Sequence, residues 1–242
     1  MNIAKNIGKT SIVVPGKNLQ MQYKKDYNDE KNKYVLKENG EKLKISVITG
    51  RGNHKCKFLK DNQIIIPKEK REVNANLNDI FEFSKEELEA RKKEDLSADR
   101  YDLPCKIELK EKNIWKIKEY LKKNKNINPS NFLTIQDVTR VPVAGVCPYW
   151  SPVLPEKYEL GKGFGEARKR NYLGLEGTKF NFYQMAPGCG FYEQFNSYID
   201  SDVIVFNSLK YKLESALNRK PQTEAEIIDE CDEFLDSFSN QR

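Results

Sequence analysis

The chain has 242 residues, enough to bury one substantial core or two small ones without cross-links. Its composition, 38% hydrophobic and 32% charged with 26 aromatic residues, excludes a wholly disordered protein and is typical of a globular one. The net charge of +6 is uneven: residues 1–220 carry 41 Lys and Arg against 29 Asp and Glu, whereas residues 221–242 carry seven acidic side chains and one Arg. We therefore expect a basic body that meets an acidic partner, and a tail that docks elsewhere.

Localisation follows from what the chain lacks. No apolar run approaches the roughly 18 residues that span a bilayer, and no apolar signal core follows the first residues. We expect no membrane partner, no secretion by a signal peptide, and a place in the cytoplasm or in a particle assembled there. The five cysteines are odd in number and never spaced as Cys-x-x-Cys, which favours reduced thiols over a disulfide framework.

The pattern in residues 1–80 predicts a β-rich domain, with a small antiparallel sheet or barrel. Short apolar or alternating runs typical of strands lie at residues 11–14, 19–23, 33–37, 42–49 and 63–66. Asn39-Gly40 between two of these runs predicts a hairpin turn, because both residues tolerate a positive φ.

Residues 81–135 predict a charged helical insertion or subdomain. Ser84 and Glu87 form a capping box that opens a helix to about residue 93. Ile114, Ile117 and Leu121 form the apolar stripe of a second helix, and residues 105–109 between the two helices are compatible with one strand.

Residues 136–242 predict a loop-rich α/β part. Gly, Pro and aromatic residues concentrate in residues 141–198, and long ordered loops of this kind often carry function. A strand at 202–206 then leads into a helix with four apolar residues on one face, namely Leu209, Leu213, Ala216 and Leu217.

The chain ends in a predicted acidic amphipathic helix, opened by a capping box of Thr223 and Glu226. Its apolar face either packs on the body or enters a groove on a partner protein. The residues of this candidate partner-binding face are Ile227, Ile228, Cys231, Phe234, Leu235 and Phe238.

Arg168, Lys169, Arg170 and Tyr172 form the candidate nucleic-acid-binding site. Basic side chains bind phosphates and aromatic rings stack on bases, and this cluster combines both. The alternative is a solvated face of a lysine-rich protein, since no known binding motif accompanies the cluster.

Two further local patterns do not predict a functional site. The glycine-rich residues 158–165 resemble the phosphate-covering loop of protein kinases, but the later kinase motifs and a Gly-Lys-Ser/Thr are missing, so we interpret them as a turn. His54 is the single histidine and cannot build a multi-histidine metal site, so a surface loop is expected there.

The fold class predicted is α+β, with an antiparallel β-rich start, a charged helical middle and a loop-rich end. The function predicted is a non-enzymatic binding or assembly subunit of a large nucleoprotein or viral-type particle, with protein partners, possible nucleic acid, and no cofactor, metal or catalytic set. The alternative is a magnesium-dependent nuclease of the Asp, Glu-x-Lys type. Its residues would be Asp99, Asp102, Glu108 and Lys110.

Overall fold

The computed structural model describes residues 1–27, 34–63, 96–160 and 167–239. Seven strands lie in these ranges: β1 (Thr10–Val14), β2 (Ile45–Ile48), β3 (Val153–Pro155), β4 (Arg168–Leu173), β5 (Lys179–Gln184), β6 (Val203–Asn207) and β7 (Ala225–Ile228). They form a parallel sheet in the order β2-β6-β1-β7 and an antiparallel sheet in the order β3-β5-β4.

Nine α-helices accompany the strands in the same ranges: α1 (Asn2–Ile7), α2 (Lys17–Asp26), α3 (Lys57–Gln63), α4 (Ile114–Lys123), α5 (Arg140–Ala144), α6 (Gly190–Glu193), α7 (Ser197–Asp200), α8 (Ser208–Ala216) and α9 (Cys231–Ser239). In this part of the chain no helix has both the length and the apolarity needed to cross a membrane.

The parallel sheet separates two apolar cores. On one face, Ile12, Val14 and Val205 pack with residues of α1 and α2. On the other face, Ile204 and Phe206 pack with the antiparallel sheet and with the aromatic residues of α6 and α7. The central strands are buried on both sides, as parallel strands usually are, and their sequences are accordingly near-continuous apolar runs.

The mixed α+β class is confirmed, but the antiparallel sheet expected in the first third is wrong. β1 and β2 lie in the parallel sheet, each beside β6. Residues 19–23 alternate like a strand but lie in α2, because Leu19 and Tyr23 are spaced one helical turn apart and both face the core. The turn expected at Asn39-Gly40 is present, with Gly40 at φ 81° and an antiparallel bridge across it.

In the middle segment, the helix expected at 84–93 lies outside the described residues. The second helix is confirmed as α4, with Ile117 and Leu121 buried. Residues 105–109, expected as a strand, form the end of a turn at 105–106 and irregular backbone at 107–109. The guanidinium of Arg140 donates a hydrogen bond to the backbone oxygen of Ile107.

The C-terminal segment confirms the strand β6 and the helix α8. The capping box of Thr223 and Glu226 is wrong, because residues 225–228 form β7 and pair with β1; the tail helix begins at Cys231. The apolar residues of 225–228 thus complete the edge of the sheet.

The parallel sheet takes strands from both the first and the last of the three predicted domains. Ile48 of β2 accordingly packs in the same core as Phe182 and Phe206. The domain boundaries at 80 and 135 stay a prediction.

Candidate functional site

A cavity of about 500 Å³ lies at the carboxyl end of the parallel sheet. Gly50 and Arg51, which follow β2, contribute to its lining together with Asn207, the last residue of β6. In open sheets of parallel strands, ligands bind in the crevice outside the carboxyl ends. A volume of this size is typical of small-molecule sites.

Four cationic side chains line the cavity: Arg51, Arg140 at the start of α5, Lys210 in α8, and Arg219 after α8. The acidic lining residue Asp99 forms an ion pair with Lys106, whose Nζ lies 2.6 Å from Oδ1. In the part of the chain that the structure describes, neither Arg51 nor Arg140 pairs with a carboxylate. The cavity therefore favours an anion.

The guanidinium of Arg51 is fixed by uncharged groups. Nη2 donates to the hydroxyl of Tyr192 at 2.8 Å, and Nη1 donates to Sγ of Cys105 at 3.4 Å. Its Cζ lies 4.2 Å from the ring centroid of Phe191. Arg140 is held by its bond of 2.7 Å to the oxygen of Ile107, and burial lowers its pKa. Both guanidiniums stay charged near neutral pH and keep N–H donors for an anionic ligand.

The other two cations form a buried ionic network with Glu214. Glu214 is fully buried; its Oε1 lies 2.6 Å from Nζ of Lys210, and Nη2 of Arg219 approaches it equally closely. Burial alone raises the pKa of Glu214, but the bonds from Arg219 and Lys210 outweigh it and hold that pKa below its usual range. The network fixes the side of α8 that faces the cavity.

The cavity also has apolar walls and an apolar rim. Trp150, Phe191 and Phe195 are buried in its walls. Leu209 and Leu213 stand at the rim with exposed fractions of 78% and 51%. The site thus combines cations with surface that suits an apolar or aromatic part of a ligand.

Four cysteines from four distant segments gather beside this cavity: Cys56, Cys105, Cys147 and Cys189. Each of the six pairs is close enough for charges on the two sulfurs to interact. Burial raises the pKa of the Cys147 thiol, and it raises the pKa values of Cys56 and Cys189 as well.

Backbone N–H groups of the residues that follow lower the pKa values of three of these thiols and so partly oppose the effect of burial. Phe58 and Leu59, at the start of α3, act in this way on Cys56. Phe191 and Tyr192 of α6 act likewise on Cys189. The backbone of Tyr149 acts on Cys147. Such donors stabilise negative charge on sulfur.

No three His, Cys, Asp or Glu side chains among the described residues converge on one metal-ion position. His54 is half-buried rather than on a surface loop, and its Nε2 lies 2.7 Å from Oγ1 of Thr49. The described residues therefore offer no mononuclear metal site, although the four sulfurs form a cluster.

The predicted nucleic-acid site lies on β4, none of whose residues lines the cavity. Arg170 forms an ion pair with Asp200 and also donates to Oδ1 of Asn196 at 2.9 Å. Tyr172 stacks on Phe180 with a centroid distance of 5.6 Å and donates its hydroxyl to the oxygen of Arg219. The remaining two residues of that site, Arg168 and Lys169, are exposed. Their binding to nucleic acid stays a prediction.

The predicted partner-binding residues divide between two elements. Ile227 and Ile228 lie in β7, and Ile227 packs against the core. Phe234 of α9 is buried against Tyr211, with a centroid distance of 5.6 Å. Cys231 and Leu235 are exposed, whereas the side chain of Phe238 lies outside the described residues. Partner binding by the exposed pair stays a prediction.

The residues of the nuclease alternative do not form a metal site. Asp99 pairs with Lys106, and Asp102 accepts hydrogen bonds of 2.9 and 2.6 Å from Arg100. Glu108 pairs with Lys110 at 3.2 Å and also with Lys112. Each carboxylate is thus held by neighbouring cations, as on an ordinary charged surface.

A larger cavity, of about 600 Å³, lies along β2. Its lining carries both charge signs, with Lys24 and Lys44 against Glu193 and Asp200, and so favours no particular ligand charge.

Sequence reasoning did not find the cavity residues, because the parallel sheet that brings them together was not predicted. One signal was present: Gly50-Arg51 directly follows an apolar run, where a parallel strand would end. For the cysteines, the neighbouring Pro104, Pro148 and Gly188 mark turns that could place a sulfur at the start of an element. No family model matches the chain, and no curated protein or solved structure matches it significantly.

Proposed function

We propose that this protein is a non-enzymatic binding protein whose ligand carries phosphate, either a free nucleotide or the phosphorylated end of a nucleic-acid strand. The observation that carries the proposal is the arrangement of Arg51 and Arg140 on one cavity, without a carboxylate partner among the described residues. Guanidinium groups are the side chains best suited to phosphate, because their planar N–H donors match its oxygens.

The size and walls of the cavity support a nucleotide rather than a bare phosphate ion. A cavity of about 500 Å³ accommodates a ligand far larger than phosphate. The exposed side chains of Leu209 and Leu213 offer apolar surface to a base or sugar. Phosphate at the arginines and a base at the rim would use both parts of the site.

A second candidate function is assembly into a nucleoprotein particle through the surface of β4. It is favoured by Arg168 and Lys169, which are exposed and form no ion pair in the described ranges. Such a surface would bind phosphates without regard to strand ends, and its affinity would fall steeply with salt.

One titration separates the two candidates. We would measure the fluorescence anisotropy of a labelled short single strand, with and without a 5′ phosphate, at low and moderate salt, with ATP as competitor. Arg51→Gln and Arg140→Gln should each weaken binding about 10-fold or more, because each removes charged hydrogen bonds to phosphate. Arg168→Gln is the charge-matched control outside the cavity and should leave binding unchanged.

The opposite pattern would favour the surface of β4 as the binding site. In that case Arg168→Gln and Lys169→Gln would lose binding, whereas the cavity variants would keep it. Adding Mg²⁺ and running the products on a gel tests the nuclease alternative, for which cleavage that needs Mg²⁺ and Glu108 is the required result. Absence of any binding at low salt would contradict both binding candidates.

A further inference from the structure

The free edge of the parallel sheet borders the cavity of about 600 Å³ that runs along β2. β2 is the outermost strand beside β6, and the N–H of Val203 in β6 donates to the oxygen of Lys44 at 3.0 Å. The backbone of alternate residues from Lys44 onward therefore faces β6, and the backbone of the residues between them faces away from it. The outward-facing residues are Leu43, Ile45, Val47 and Thr49.

Both ends of this outward edge already have hydrogen-bond partners. The N–H of Leu43 donates to the oxygen of Val35 at 2.8 Å. At the other end, the side-chain amide of Gln194 accepts from the N–H of Thr49 at 2.9 Å and donates to its oxygen at 3.0 Å. A neighbouring strand would supply the same kind of paired bonds. The fold thus occupies the edge on both sides of a short gap.

The gap consists of Ile45 and Val47. In the part of the chain that the structure describes, no hydrogen-bond partner faces their outward N–H and C=O groups. Both residues line the cavity. Unpaired backbone groups at a sheet edge are a template for one more strand, and a peptide that adds itself there gains affinity from main-chain hydrogen bonds.

The two walls of the cavity differ, as the two faces of an added strand do. Tyr23 and Tyr27 of α2 form an aromatic wall, with ring centroids 6.1 Å apart. Asn196 and Ser197, from the region of α6 and α7 on the other face of the sheet, form a polar wall. Since side chains alternate along a strand, every second one would contact the tyrosines.

The charged residues of the lining have both signs but are not equally available. Asp200 is already paired with Arg170, and the carboxylate of Glu193 accepts a backbone hydrogen bond. Lys24 and Lys44 are exposed and form no ion pair within the described ranges. An occupant with acidic side chains would complement these two lysines.

We propose that the free edge of β2 binds an extended acidic segment of a partner protein as an added strand, through the backbone groups of Ile45 and Val47. This role goes beyond the phosphate-binding cavity, which shares no lining residue with the groove along β2.

The test uses the full chain and a labelled hexapeptide of alternating valine and glutamate, with binding measured by fluorescence anisotropy. Two further versions are N-methylated, one at the valine nitrogens and the other at the glutamate nitrogens. Alternate N–H groups of an added strand point to opposite edges, so only one of these two versions should bind about 10-fold or more weakly than the parent. Lys44→Glu should weaken binding of the parent peptide, and Lys122→Glu, the same charge change on α4, should leave it unchanged.

Amide hydrogen exchange followed by NMR locates the added strand on the wild-type chain. The parent peptide should slow exchange about 10-fold or more at Ile45 and Val47, and much less at Ser46, which already faces β6. Absence of peptide binding at low salt, equal effects of the two methylations, or unchanged exchange at Ile45 and Val47 would each overturn the proposal. Dimers of the free chain in size-exclusion chromatography, with both amides already protected, would overturn it as well and assign the edge to a second copy.

Discussion

At the scale of single residues, replacing one oxygen atom of Glu214 by nitrogen should strongly lower the stability of the fold. Its carboxylate is fully buried between Lys210 and Arg219. Glu214→Gln keeps the shape but leaves the buried Lys210 and the partly buried Arg219 without a counter-charge, so the free energy of unfolding should fall by about 3–5 kcal/mol. Urea denaturation followed by circular dichroism measures this change.

Glu119→Gln provides the control, because Glu119 pairs with Lys116 and Lys123 on the surface of α4. The same chemical change there should cost less than about 1 kcal/mol. Equal losses for the two variants would mean that the buried network does not stabilise the fold.

The carboxylate of Glu214 should also make the free energy of unfolding depend on pH. Burial opposes ionisation of Glu214, but Arg219 and Lys210 outweigh it, so its pKa in the folded protein lies below the ordinary 4.5. The stabilisation is therefore complete above about pH 4.5 and is lost as pH falls through the lower folded value. The gap in unfolding free energy between wild type and Glu214→Gln should be constant near neutral pH and shrink in acid. A gap that grows in acid would reverse the sign of the assigned shift.

At the scale of elements, α8 is a helix that the sequence predicts at the right place but with the wrong face toward the core. The spacing of Leu209, Leu213 and Leu217 predicts an apolar face toward the core, yet these side chains are 78%, 51% and 52% exposed. The buried positions are Lys210 and Glu214 instead. Periodicity identifies the helix, but the ionic network with Arg219, which lies beyond the helix, decides its orientation, and no local pattern encodes that partner.

Matched leucine substitutions test this orientation. Leu121→Ala in α4 removes a side chain that is 3% exposed and should cost about 2–5 kcal/mol of unfolding free energy. Leu217→Ala makes the same chemical change at an exposed position and should stay within about 0.5 kcal/mol of wild type. Chemical denaturation of both variants decides the question, and a cost at Leu217 as large as at Leu121 would place the leucine face inside.

Two truncations distinguish the contributions of β7 and α9 to the stability of the fold. A chain ending at Asn218 loses β7, which exposes the edge of β1, together with the bond of 2.5 Å between Lys220 and Glu226. We expect it to aggregate or to lack a cooperative melt. A chain ending at Glu230 keeps β7 and loses only α9, so it should melt cooperatively at a lower temperature. Size-exclusion chromatography and thermal circular dichroism distinguish the two outcomes. A folded chain ending at Asn218 would show that β7 is dispensable.

At the scale of the whole molecule, the sequence predicts elements better than their assembly. The runs behind β1, β6 and α4 are readable because each is a local apolar pattern. The strand order β2-β6-β1-β7 cannot be predicted from local patterns, since it pairs residues nearly two hundred positions apart. The cavity and the cysteine group depend on that order, because Arg51 meets Lys210, and Cys56 meets Cys189, only once the chain ends share one sheet.

A sheet built from both chain ends predicts that the ends unfold together. Trp150 is 5% exposed in the core that also holds Ile48 and Phe206, whereas Trp115 is 68% exposed. In a Trp115→Phe variant, tryptophan fluorescence reports Trp150 alone, and its urea transition should coincide with that of the far-ultraviolet circular dichroism. Two separated transitions would instead favour independent domains with boundaries near residues 80 and 135. Coincident transitions mean that the first and last segments unfold as one cooperative unit.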